Sequence, residues 1–103
     1  MPQIVFKSLN PDHVRSLSSG LLEQLADISQ TPHDYFRFEL NQSRYFFKGQ
    51  EVEAYPLVEV IQFDRGKEVE GKMAKAIQTA ISALGYQECE VYFTHVTADN
   101  YYE

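Results

Sequence analysis

The residues best suited to chemistry stand at the head of the chain, in Met1-Pro2-Gln3-Ile4-Val5-Phe6. Removal of Met1 turns Pro2 into a secondary amine at the start of a strand. An α-amino group has a pKa of about 7.7–8.0 in peptides. A proline amine is somewhat more basic. An apolar setting or a neighbouring cation disfavours the charged form and brings such an amine towards neutrality. It can then take up and return protons near pH 7. With Met1 in place, the same nitrogen is an amide with no basic lone pair. The sequence therefore admits both a reactive and a silent Pro2. Pro56 opens a similar stretch, but it is embedded in the chain and has no ionisable amine.

The other reactive side chains are less well placed. His13, His33 and His95 are too far apart in sequence to suggest a preformed metal site, and no metal is expected. His95 alternates with Val91 and Phe93, which reads as a packed histidine. Cys89 lies between Glu88 and Glu90, whose charges raise a thiol's pKa, so it is a poor nucleophile. A lone cysteine forms no internal disulfide, and a reducing cytoplasm is the simplest setting. Glu51 and Glu53 read as a solvated acidic loop.

The elements that position Pro2 follow from periodicity. Residues 3–8 read as a strand. Asn10 is a helix N-cap and Pro11 a first helical residue. Val14, Leu17, Leu21, Leu25 and Ile28 recur at three- and four-residue steps and mark one helical face. Thr31-Pro32 ends that helix, because the residue before a proline disfavours helical geometry. From Tyr35 to Asn41 the pattern alternates, with Phe36, Phe38 and Leu40 on one face and Arg37 and Glu39 on the other. Residues 42–54 form a loop or short hairpin. Leu57 to Phe63 is a third strand. Val69, Met73, Ile77, Ile81 and Leu84 mark a second helix, with Gly85 as its stop. Residues 89–96 form the last strand.

The order strand, helix, strand, aromatic loop occurs twice. Pro2 to Phe6 lies over Pro56 to Val60 at an offset of 54, and Asp34 to Phe38 over Cys89 to Phe93 at an offset of 55. The second offset sets Tyr92 in the place of Arg37. The prediction is a single α+β domain over residues 1–103, with an internal repeat of 2–47 and 56–102. Two pseudo-symmetric βαβ units form a four-stranded mixed sheet with both helices on one face. The other face, carrying Arg37, Glu39, Tyr92, Thr94 and Val96, is left open and calls for a partner.

A length of 103 residues suits one small domain, and such domains often gain stability by oligomerising. A net charge of −6 with no basic run argues against a nucleic-acid or anionic-membrane partner. No run is apolar enough to span a bilayer, and no signal peptide is expected.

With Pro2 heading a doubled βαβ, the chain resembles the tautomerase superfamily, the group of 4-oxalocrotonate tautomerase and macrophage migration inhibitory factor. Glu90-Val91-Tyr92-Phe93-Thr94 through Ala98-Asp99-Asn100 is similar to the last strand and turn of the inhibitory-factor branch. Pro32 through Arg37 is similar to a stretch of the oxalocrotonate branch whose Arg binds a substrate carboxylate. Tyr55 to Val60 looks most like a bacterial subfamily of double-length chains.

The resemblance implies a homotrimer with pockets between subunits and no metal or organic cofactor. It implies a tautomerase or isomerase acting on a small α-keto or unsaturated carboxylic acid. Pro2 would be the general base and Tyr92 a donor to the developing enolate oxygen. Arg37 would anchor the carboxylate, with Thr94 near the substrate and Arg44 or Lys48 supplying a second cation. Each has a structural reading too: Arg37 as an ion-pair partner of Glu39 from a neighbouring subunit, Tyr92 as an interface aromatic. Thr31 stands where the inhibitory-factor branch has a pocket Lys, and Thr94 where it has a polar amide. Pro11 lies near the second Arg of the oxalocrotonate branch. Neither branch's substrate is therefore carried over. The alternative is a non-catalytic trimeric binding or structural protein of the same fold with Met1 retained.

Overall fold

The computed structural model describes residues 1–103. Strand β1 (Gln3–Lys7) leads to helix α1 (Pro11–Ser29). A single 3-10 turn (His33–Tyr35) precedes β2 (Arg37–Asn41). The hairpin β3 (Tyr45–Phe47) and β4 (Gln50–Val52) follows. Then come β5 (Leu57–Phe63), α2 (Lys67–Ala83) and β6 (Glu90–Val96). The main sheet has the order β2-β1-β5-β6. Within each unit the strands are parallel, and β1 and β5 meet antiparallel across the centre. The mixed four-stranded sheet and two helices are those expected from the doubled pattern.

Local sequence sets the boundaries. The side chain of Asn10 accepts from the Asp12 N–H at 2.8 Å, and Pro11 follows with its fixed φ. The helix ends earlier than Thr31-Pro32 alone requires. Gln30 adopts a left-handed conformation (φ 51°), and the Thr31 N–H turns back to the Ala26 carbonyl at 3.0 Å. Strand β1 stops one residue short of the expected end because Ser8 has a φ of 67°. Residues 42–54 hold a true hairpin, turned by Lys48 and Gly49, both at positive φ.

The core lies between the sheet and the two helices. Ile4 and Phe6 from β1 and Val58 and Val60 from β5 are fully buried. They pack with Leu17, Leu21 and Leu25 of α1 and Met73, Ile77 and Ile81 of α2. Alternation then dictates the other face. Its rows are Arg37–Gln3–Ile61–Thr94, Glu39–Val5–Glu59–Tyr92 and Asn41–Lys7–Leu57–Glu90.

The two units are not register-identical. Gln3 pairs with Arg37, whereas Tyr92 pairs with Glu59. With Pro2 laid over Pro56, Glu59 corresponds to Val5, whose β2 partner is Glu39. Tyr92 therefore occupies the register position of Glu39, not of Arg37. A shift of two residues keeps the same face of the sheet, which is why alternation alone does not reveal it.

Candidate functional site

Pro2 starts the β1–β2 ladder. Its carbonyl accepts from the Arg37 N–H at 3.0 Å, which fixes the head of the chain beside β2. The Pro2 ring is less than 2% exposed with Met1 in place. Arg37 projects from the open face, makes no ion pair within the chain, and is exposed. Glu39, two residues along the same face of β2, instead accepts from Gln3 Nε2 at 2.5 Å. The same device recurs across the sheet, where the Thr94 hydroxyl donates to Glu59 at 2.7 Å. Neutral donors thus hold Glu39 and Glu59, the open-face carboxylates of the middle row, and leave the guanidinium available.

The structure brings the main chains of Pro2 and Arg37 together but separates them from the other expected site residues. Arg37 and Thr94 lie in one row at opposite edges of the sheet. Three interstrand steps put their backbones about 14 Å apart. Tyr92, 41% exposed, lies on the same distant strand. Arg44 and Lys48 sit on the hairpin that follows β2, whose last residue pairs with Lys7 at the end of β1 away from Pro2. Arg44 there makes a two-pronged contact with Glu51 at 2.8 and 2.9 Å and lies over the Phe46 ring. That contact raises the Arg44 pKa and holds the Glu51 carboxyl below the usual carboxylate range. The Lys48 ammonium lies 5.4 Å from the Phe47 ring centroid.

A cleft of about 860 Å³ opens at this far end, lined in part by Ser8, Arg44, Glu51, Tyr55, Tyr86 and Glu88. Hydrogen bonding to Glu90, and then its charge, raises the Tyr55 pKa. Nearby, burial and then the charge of Glu90 push Cys89 up to about 11, in keeping with a poor nucleophile.

One polar cluster is not apparent from sequence spacing. Glu70 of α2 is 8% exposed and faces Gln62 of β5, which is fully buried. Gln62 Nε2 donates to Glu70 Oε2 at 3.0 Å, and the Arg65 N–H reaches the same oxygen at 3.4 Å. His95 Nε2 stands 2.9 and 3.0 Å from the two Glu70 oxygens. Arg65 Nε donates to Gln62 Oε1 at 3.2 Å, and Asp64 lies 3.9 Å from the imidazole. His95 keeps the parity of Val91 and Phe93, but it is not the packed histidine expected: it is exposed and joins a polar network. The available signal was three polar residues at core-facing positions: Gln62 beside Val60, His95 beside Phe93, and Glu70 one turn before Met73.

Asp64, Glu70 and His95 have donor atoms within 4.8 Å of one another, a set that can hold a divalent cation. The donors already directed at Glu70 make a hydrogen-bonded network the better description.

This sheet order, with two helices on one face and Pro2 heading the central strand β1, defines a protein of the tautomerase fold. The chain superposes on a fused 4-OT (4-oxalocrotonate tautomerase) wild-type asymmetric trimer with a TM-score of 0.83 and 16% identity, covering 98% of this chain and 91% of that one. For a macrophage migration inhibitory factor-like protein from Entamoeba histolytica the TM-score is 0.73 and the identity 12%, over 99% and 94% of the two chains. Within that fold the chain belongs to the family described as Domain of unknown function (DUF1904), whose model matches residues 1–103. A crystal structure of such a domain from Sebaldella termitidis ATCC 33386 is similar at a TM-score of 0.93 and 29% identity, covering 100% of this chain and 95% of that one. No curated protein matches the chain in sequence. No helix is long and apolar enough to cross a membrane.

Proposed function

We propose that the protein is a cofactor-independent tautomerase or isomerase acting on a small α-keto or unsaturated carboxylic acid, with the amine of Pro2 as general base once Met1 is removed. The observation that carries this reading is the pairing of Pro2 with Arg37 at 3.0 Å. That main-chain hydrogen bond fixes the head of β1 next to Arg37, whose guanidinium has no partner in its own chain. The cation favours the neutral amine, and its fork suits a carboxylate.

The reading also requires a homotrimer. Thr94 lies about 14 Å from Arg37 along its row and Tyr92 stands on the same distant strand, too far to share with Arg37 one small substrate within a subunit, so they act from a neighbouring one. There Tyr92 donates to the developing enolate oxygen. Arg44 or Lys48 reaches the pocket only from a neighbour as well. The trimer buries the open sheet face, and the setting is cytoplasmic. The test is ketonisation of phenylenolpyruvate and 2-hydroxymuconate by protein whose N-terminus has been defined by mass spectrometry, with Pro2→Ala as control. Unchanged activity in Pro2→Ala contradicts the assignment of the base.

The complete burial of Pro2 with Met1 in place favours a second reading, a non-catalytic trimeric binding or structural protein. Met1 wholly retained on protein from the native cell selects it.

A further inference from the structure

A tautomerase must take a proton from one atom and return one to another, and a second group able to do so stands on the same rim as Pro2. Gln3 pairs with Ile61, so one further step of that ladder sets Pro2 opposite Gln62, and Gln62 pairs with His95. Two interstrand steps place the Pro2 and His95 backbones about 10 Å apart. Gln62 stands between them and donates at 3.0 Å to Glu70 of α2, which also accepts from the Arg65 N–H at 3.4 Å and from His95 Nε2 at 2.9 Å. The Gln62 amide cannot turn round without cost, because its oxygen accepts from Arg65 Nε at 3.2 Å. Arg65 also reaches the Ser29 carbonyl at the end of α1, at 3.5 Å.

A carboxylate only accepts hydrogen bonds. The contact therefore uses the Nε2–H of His95 and leaves Nδ1, which has no partner in the chain, as the free nitrogen. Glu70 is the sequestered member, with its side chain 10% exposed, and His95 the reachable one at 36%. Glu70 at 2.9 Å and Asp64 at 3.9 Å both face the ring. A buried carboxylate that orients an imidazole and stabilises its cation is a recurrent proton-transfer device.

We propose that His95 is the second acid–base group of the site and Glu70 its positioning residue. The assignment rests on the tautomerase reading and deepens it. In ketonisation of a 2-hydroxy-alkenoic acid, the Pro2 nitrogen takes the enol O–H proton. The oxygen electron pair forms the carbonyl, and the C=C pair takes a proton from Nδ1 of the His95 imidazolium. The Pro2 ammonium and the neutral imidazole then exchange protons with water, restoring both. The substrate class is an enol of a 2-oxo acid, bound across the sheet end between the two groups.

The test is ketonisation of phenylenolpyruvate in D2O by Met1-free wild type, His95→Asn and Glu70→Gln, following both rate and stereochemistry of deuterium at C3. Two-bond 1H–15N spectra of the imidazoles accompany it. Wild type is expected to deliver deuterium to one face and to show His95 as the Nε2–H tautomer. His95→Asn is expected to lose about 100-fold in rate, and its residual product to be racemic in deuterium. Glu70→Gln is expected to keep the native spectrum elsewhere while losing the fixed tautomer and part of the rate.

Stereospecific turnover by His95→Asn within twofold of wild type overturns this assignment alone. So does an Nδ1–H tautomer in wild type. One-to-one capture of Zn²⁺ with perturbation of His95 Nε2 also overturns it, making the cluster a metal site. Wild type that does not ketonise the substrate at all overturns the tautomerase reading itself.

Discussion

The N–H of Arg37 donates to the carbonyl of Pro2 at 3.0 Å, so the first rung of the β1–β2 ladder is made by the two residues on which the proposed chemistry depends. The contact is between main chains and survives substitution of either side chain. Changes at Arg37 therefore report on its guanidinium, and not on the fold.

Arg37→Ala is expected to raise KM for a carboxylate substrate about 10- to 100-fold, the worth of a charge-assisted hydrogen-bonded contact. Thermal unfolding should move little, because the side chain is exposed and makes no ion pair within the chain. Arg37→Lys should recover only part of the affinity, since an ammonium lacks the planar fork. Steady-state kinetics with calorimetric melting separate these effects. An unchanged KM in Arg37→Ala removes it from the site.

Association is tested at Ile61, which sits on the open face between Gln3 and Thr94. Ile61→Glu places a third carboxylate near Glu39 and Glu59. It should convert a species of three times 11.9 kDa to monomer in light scattering. A wild-type protein that is already monomeric contradicts the proposed trimer.

In the core, Leu25→Ala removes a fully buried side chain and should cost about 2–5 kcal/mol by denaturant unfolding. Gln62→Leu, nearly isosteric, removes the amide that bridges Arg65 and Glu70. It should cost about 1–3 kcal/mol, because polar groups are left without a partner in a buried place. A neutral or stabilising Gln62→Leu means that the network is not needed to hold Glu70.

The folded-state pKa of Cys89 lies near 11, above its ordinary value of 9.0, because burial and the Glu90 charge disfavour the thiolate. At pH 9 roughly one thiol in a hundred is ionised in the folded protein, against about half in the unfolded chain, and alkylation should be slowed accordingly. The sign for stability follows from the raised pKa. The folded state gains from the neutral thiol below about pH 9 and loses that gain as pH rises from 9 towards 11. Alkylation at pH 9 as fast as in urea contradicts this setting of Cys89.

Pattern alone carried most of the fold. Alternation in Phe36-Arg37-Phe38 and the helical spacing from Val14 to Ile28 each report a single buried face, so strand and helix identity follow directly. The doubling seen at Pro2 and Pro56 supplied the topology. Register was not legible, because a two-residue slip preserves the face on which Tyr92 projects. The polar network was hidden for a related reason. Gln62, Glu70 and His95 come from three elements, and only their common parity towards the core connects them. The separation of Arg44 and Lys48 from Pro2 depends on β2 running parallel to β1, which sends the following hairpin to the far end of the sheet.

The most direct test compares two forms of one chain, headed by Pro2 and by Met1, in ketonisation of 2-hydroxymuconate or phenylenolpyruvate. With a free amine as the base, the Pro2-headed form turns over and the Met1-bearing form loses about 100-fold or more. Equal rates from the two forms, or no turnover by either, contradict the account.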